Sequence, residues 1–118
     1  MLNRDYVAND KGAIFLSNES LLKEYEKACV DITDTNINMC VSWYLMASYA
    51  YYVEDDPILS DAQFDRLVRK TIENWDSIEH IHKEKLNMDM LKAGTFVGEY
   101  PSRIEYALQS LRSTYNGK

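Results

Sequence analysis

Residues 51–67 read "YYVEDDPILSDAQFDRL". Two tyrosines, five acidic residues and a proline fall between two segments whose apolar residues recur at helical spacing. The stretch divides in two. "VEDDPIL" turns the chain, its Asp, Asp and Pro being turn formers. "SDAQ" has the form of a capping box, in which the Ser60 hydroxyl accepts from the Gln63 amide and the Gln63 side chain reaches back. Asp61 in the first turn suits the positive end of a helix. One helix therefore ends at Tyr51 and Tyr52, and the next begins after Ser60.

Working outward, the preceding helix spans about 36–53. Ile37, Cys40, Val41, Tyr44, Leu45 and Ser48 form one stripe, and Met39, Trp43, Met46, Ala50 and Val53 a second. A surface helix carries one apolar stripe. Two stripes predict a helix that is central or shared with a second subunit. Earlier, "ESLLKEYEKACVDI" (19–32) repeats Leu21, Leu22, Tyr25, Ala28, Cys29 and Ile32 at helical spacing, with Ser17 or Asn18 as cap and "TDTN" as breaker. After Ser60, the inward face is Phe64, Leu67, Val68, Ile72 and Trp75. A shorter helix is expected after Asp76 or Ser77, carrying Ile78, Ile81 and Leu86. "NMDMLKAG" adds a turn that stops at Gly94, and "TFVGEY" is a connector. Pro101 suits the first position of a last helix over 101–114, with Ile104, Ala107, Leu108 and Leu111 inward. "RDYVA" and "AIFLS" lean toward strand, with "NDKG" to turn between them. Residues 1–16 thus read as a short hairpin or an irregular arm. The fold class is all-α: one domain over 1–118, a small bundle of four or five helices.

The 118 residues are 46% hydrophobic and carry a net charge of −6. That balance disfavours binding to nucleic acid or to an anionic membrane, since phosphates call for Lys and Arg. It favours a basic partner. Cys29 and Cys40 make neither a metal knuckle nor a disulfide framework and read as buried thiols in a reducing compartment. "MLNRDYVAND" lacks the apolar segment of a signal peptide, and no stretch approaches the ~18 apolar residues of a membrane span. A cytoplasmic location is expected.

Positions 61, 64 and 65 share one helix face. The tyrosines ending one helix and the carboxylates opening the next therefore converge. Flat aromatic faces with acceptors suit a planar, partly cationic ring and ribose hydroxyls. The same residues also read more plainly, as core packing for Tyr51, Tyr52 and Phe64, a solvated turn for Asp55 and Asp56, and a cap for Ser60 and Asp61. Glu54, Asp55 and Asp56 sit at the negative end of their helix, where a cation, ligand or basic partner would relieve repulsion.

Tyr51, Tyr52, Asp55, Pro57, Ser60, Asp61, Asp65 and Leu67 stand where the N-terminal Ia domain of NAD-dependent bacterial DNA ligases carries its own pattern. The stretch resembles that domain, closely over 51–67 and more loosely over about 36–75. The resemblance implies a module that closes over the nicotinamide mononucleotide half of NAD. It implies Tyr51 stacked on the nicotinamide, Tyr52 beside the phosphate, and Asp61 and Asp65 bonding the ribose or amide. Phe64 replaces a second stacking tyrosine, keeping the ring and losing the hydroxyl. The Lys-x-Asp-Gly motif of the adenylated lysine is absent from this sequence, as are a four-cysteine zinc site and a glycine-rich hairpin pair. The chain is not expected to be a ligase, or an enzyme, by itself.

Three functions follow as expectations. One is a non-catalytic adaptor built on the Ia-like module, of the kind expected in a viral genome, acting on a host protein in a bacterial cytoplasm. Another is a module that binds nicotinamide mononucleotide or NAD. The last is one subunit of a split nucleotidyltransferase. An adaptor would use Met39, Trp43 and Met46 at a dimer seam, or Tyr100, Arg103 and Tyr106 as an exposed patch. His80 and His82, two apart, would point to different sides of a helix, so a solvated face is preferred over a metal site.

Overall fold

The computed structural model describes residues 7–8, 14–15 and 18–115. Its five α-helices are α1 (Asn18–Thr35), α2 (Met39–Tyr52), α3 (Asp61–Glu73), α4 (Met88–Ala93) and α5 (Ser102–Tyr115). The molecule is an all-α bundle. Ahead of it, Val7–Ala8 and Ile14–Phe15 pair as a minimal antiparallel ladder, Val7 opposite Phe15.

The centre is α2, which packs against α1, α3 and α5. Both stripes are accounted for within one chain. Cys40, Val41, Tyr44, Leu45 and Ala50 are fully buried, and Trp43 and Met46 are nearly so. A helix that is apolar all round is a buried helix. The proposed seam is therefore corrected: Trp43 and Met46 are covered by their own chain, and Met39 packs against the core. Truncating Trp43 would cost about 3–5 kcal/mol. Val53, assigned to the second stripe, lies outside the core and is 55% exposed.

Several boundaries differ from expectation for local reasons. The helix α1 runs through "TDT" because the Thr33 and Thr35 hydroxyls donate back to Cys29 O (2.7 Å) and Asp31 O (2.8 Å). The cap expected of Ser17 or Asn18 falls outside the described side chains. The start of α2 slips to Met39 because Asn36 Oδ1 accepts from Asn38 N (3.1 Å) and holds a turn. Half the capping box forms: Ser60 Oγ accepts from Gln63 N (3.2 Å), but Gln63 Oε1 takes Arg66 (3.0 Å) instead. The Ser60 amide donates to Glu26 Oε2 on α1 (2.8 Å). Lys70 ties α3 to α1 again through Thr33 Oγ1 (2.8 Å) and Asp34 (2.6 Å).

No α-helix forms over 78–86. Two short 3-10 turns, Trp75–Ser77 and Lys83–Lys85, are joined by an irregular segment; Ile78 and Leu86, each just after one of them, are buried, and Ile81 between them is 67% exposed. His80 is not on a solvated helix face. The His82 amide donates to His80 Nδ1 (3.0 Å), so Nε2 carries the proton and faces Ser42 Oγ at 2.9 Å. In α4, Asn87 caps the start by accepting from Met90 N (2.9 Å), and Gly94 at φ 68° ends the helix as expected. In α5, Ile104 and Leu108 are buried and Leu111 half-buried, but Ala107 is exposed.

The acidic end of α2 has an internal partner. Arg112 of α5 donates to Glu54 Oε1 (2.9 Å) and to Asp56 O (2.7 Å), with Asp56 Oδ2 at 3.3 Å. Its side chain is 19% exposed, so the contacts are screened less than surface pairs. Asp55 takes up the reversal at φ 54°, a left-handed conformation that Asp tolerates better than most residues. Arg112→Met should lower stability by about 1–3 kcal/mol with an unchanged urea m-value, read from denaturation midpoints.

Burial lowers the pKa of both His80 and His82, with His82 adding to the shift on His80, and Lys85 and Arg103 to that on His82. The unfolded chain therefore takes up protons near pH 6.5 before the folded chain does. Stability is fully present above that pH and is lost as pH falls through it. The melting temperature should be lower at pH 5.5 than at 7.5, and a His80→Gln/His82→Gln double variant should flatten that difference.

Candidate functional site

Tyr51 and Tyr52 close α2 and remain on the surface, 51% and 54% exposed. Core packing does not account for them. Their rings meet edge-on at 4.8 Å. The turn at 53–60, clamped by Arg112 and started into α3 by Ser60 and Glu26, returns the chain so that Asp61, Phe64 and Asp65 face the tyrosines. All five residues line one hollow of about 290 Å³. The two helices thus meet with these side chains around a common space.

Phe64 is the floor on the α3 side, stacked on Tyr44 at 5.4 Å and 30°. The Tyr44 hydroxyl donates to Thr95 O (2.5 Å), with Met90 O at 3.1 Å. That bond anchors the end of α4 against α2, and burial pushes the phenol pKa up. The third wall follows: Leu91, Lys92, Ala93 and Gly94. Tyr52 donates from its hydroxyl to Gly94 O (3.2 Å) and closes that side. A Cβ at Gly94 would lie 3.6 Å from Phe64 Cε2, an ordinary contact, so the demand for glycine there comes from its φ of 68°.

The charge at the hollow is mixed. Asp61, in the first turn of α3, makes no ion pair among the described residues, and Asp65 pairs with Arg69 one turn on. Lys92 is the cation of the lining and makes no ion pair among the described residues. Ser48, read from sequence as part of an apolar stripe, also lines the hollow; it is 1% exposed and its Oγ has no hydrogen-bond partner among the described residues. Open aromatic faces, carboxylate acceptors, one cation and a buried hydroxyl suit a planar ring bearing polar arms.

Sequence reasoning found the Tyr51, Tyr52, Asp61, Phe64 and Asp65 side of this hollow. It missed the wall from α4, because Lys92 and Gly94 arrive from forty residues downstream through the Tyr44 and Tyr52 contacts, and local spacing carries no signal of that. The "NMDMLKAG" helix was legible, but its destination was not.

The other patch is only partly a surface. Tyr106 is 71% exposed and Arg103 is exposed, whereas Tyr100 is half-buried against Tyr49 (5.1 Å) and Phe96 (4.6 Å). Cys29 and Cys40 are free and buried, and burial pushes the Cys29 thiol up to about 12 and raises that of Cys40. Among the described residues no group of His, Cys, Asp and Glu is placed to hold a metal ion, and no helix is long and apolar enough to cross a membrane.

No curated protein and no solved structure matches the chain. The likeness read at 51–67 is nonetheless shown, and it starts later and runs further than 36–75: residues 43–89 match the family described as DNA ligase-like, N-terminal NAD+-binding domain.

Proposed function

We propose that this chain is a non-catalytic module that binds the nicotinamide mononucleotide part of NAD in the hollow between α2, α3 and α4. The observation that carries the reading is that Tyr51, Tyr52, Asp61, Phe64 and Asp65, drawn from two helices, line one space. They lie within the segment similar to an NAD+-binding domain family. The residues present fit such a ligand. The half-exposed Tyr51 ring offers a face to a cationic pyridinium ring, a contact worth about 1–2 kcal/mol. Asp61 and Asp65 accept from ribose hydroxyls or an amide. Lys92, a lining residue with no ion pair among the described residues, supplies a charge for the 5′-phosphate.

Titration calorimetry and thermal melts with nicotinamide mononucleotide and with NAD test this. Ligand at a hundredfold excess over Kd should stabilise the fold by about 2.7 kcal/mol. Tyr51→Ala should weaken binding about tenfold with little change in the melting temperature of the free protein, since the ring is exposed. Absence of both heat and melting shift at millimolar ligand would reject the proposal.

Lys92→Ala separates the phosphate from the ring. It should weaken nicotinamide mononucleotide and leave nicotinamide riboside, which has no phosphate, unchanged. Equal losses for both ligands would remove Lys92 from the phosphate role.

A protein-binding role is favoured by one observation, the outward Tyr106 and Arg103 on α5, residue types enriched at interfaces.

A further inference from the structure

Among the described residues, three buried serine and threonine hydroxyls sit in helices. Thr33 and Thr71 each donate to the carbonyl four residues back, to Cys29 O and Leu67 O, both at 2.7 Å. That is the ordinary fate of a helical hydroxyl sheltered from water. Ser48 departs from it. It is as buried as the other two, yet its Oγ meets no partner among the described residues; Tyr25 Oη and His82 Nε2 share that lack, but neither lines the hollow. A buried hydroxyl without a partner is destabilising, and a native structure that keeps one calls for an explanation.

Its position supplies one. Ser48 lines the same hollow as Asp61 and Asp65. Tyr51 and Tyr52 lie three and four residues on, on the same side of α2. Helical side chains lean toward the N-terminus, which turns these rings toward the side of α2 that carries Ser48, and all three line the hollow. Tyr52 is tied down through Gly94 O. Tyr51 meets Tyr52 edge-on and is half-exposed, so its ring lies open to a ligand beside Ser48 in the same lining.

We infer that Ser48 is a specificity-determining residue that donates a hydrogen bond to the carboxamide oxygen of a bound nicotinamide ring and so selects the amide over the corresponding acid. This rests on the nucleotide reading above. An amide presents one acceptor oxygen and two N–H donors. The hollow offers the complement: a hydroxyl for the oxygen, and the carboxylates of Asp61 and Asp65 for the N–H groups. A nicotinate ring carries a carboxylate in place of the amide. It has no N–H to give and sets a second negative charge beside Asp61, with Arg69 offsetting Asp65 alone.

The test compares nicotinamide mononucleotide with nicotinic acid mononucleotide on the wild-type chain and on Ser48→Ala, by calorimetry and thermal melts. The wild type should prefer the amide by tenfold or more. Ser48→Ala should melt no lower than the wild type, because the unpartnered hydroxyl is gone and alanine is the better helix former. It should bind the amide about tenfold more weakly, bind the acid as before, and so lose most of the preference. A Ser48→Ala protein that keeps the wild-type preference overturns the inference while leaving nucleotide binding in place. A wild type that binds neither nucleotide overturns both, and the unliganded melting temperature shows whether the variant is folded in either case.

Discussion

Burial of α2 on every side is the constraint on which the rest of this molecule depends. Its fourteen residues carry no charged side chain, and an uncharged apolar helix is stable in water only when other elements surround it. The remaining helices are arranged to do so. Helices α1, α3 and α5 lie against it, and α4 is drawn in by the bond from Tyr44 to the carbonyls beyond Leu91. A chain of this size has one core, and α2 runs through it.

A helix buried along its length must still emerge, and its exit sets the site. At the end of α2 the chain carries Glu54, Asp55 and Asp56, like charges at the negative end of the helix dipole. Arg112 resolves that repulsion from α5, and Asp55 accepts a left-handed conformation to turn the backbone. The consequence is positional. With the turn held, Tyr51 and Tyr52 stay outside the core, and α3 leaves at an angle that brings Asp61 and Asp65 toward them. Glu26, by taking the Ser60 amide, fixes the first turn of α3 from the α1 side. The hollow is thus bounded by residues whose own positions are set by contacts elsewhere, which is how a binding surface keeps its shape.

Polar chemistry is distributed unevenly around that hollow. Most buried polar groups of the molecule are satisfied at home: Thr33, Thr71, Tyr44 and His80 all have partners. Among the described residues three buried side-chain atoms lack a partner, Tyr25 Oη, His82 Nε2 and Ser48 Oγ, and of these Ser48 lines the hollow, as does Lys92, which makes no ion pair among the described residues. Together with the open tyrosine faces and the family match over 43–89, an unpartnered hydroxyl and an unpaired cation on one lining distinguish the hollow from an ordinary crease between helices.

Periodicity and capping residues announced the all-α class, the break at 53–60, the start of α3 at Ser60 and the stop at Gly94, because these depend on neighbours three or four residues away. The pairing of Tyr51 and Tyr52 with Asp61 and Asp65 was legible for the same reason, since one tight turn separates them. What the chain does at 78–86 was not legible: Ile78, Ile81 and Leu86 imitate a helical stripe, but the segment is irregular with one 3-10 turn, His80 bonding to Ser42 and Ile78 and Leu86 buried. Nor could local pattern show that Trp43 and Met46 face their own chain, that Arg112 answers the acids of α2, or that Lys92 and Gly94 complete the hollow. Local bonding decides elements from residues within one helical turn. Contacts such as Arg112 to Glu54 and Tyr52 to Gly94, fifty-eight and forty-two residues apart, exist only once the core has closed.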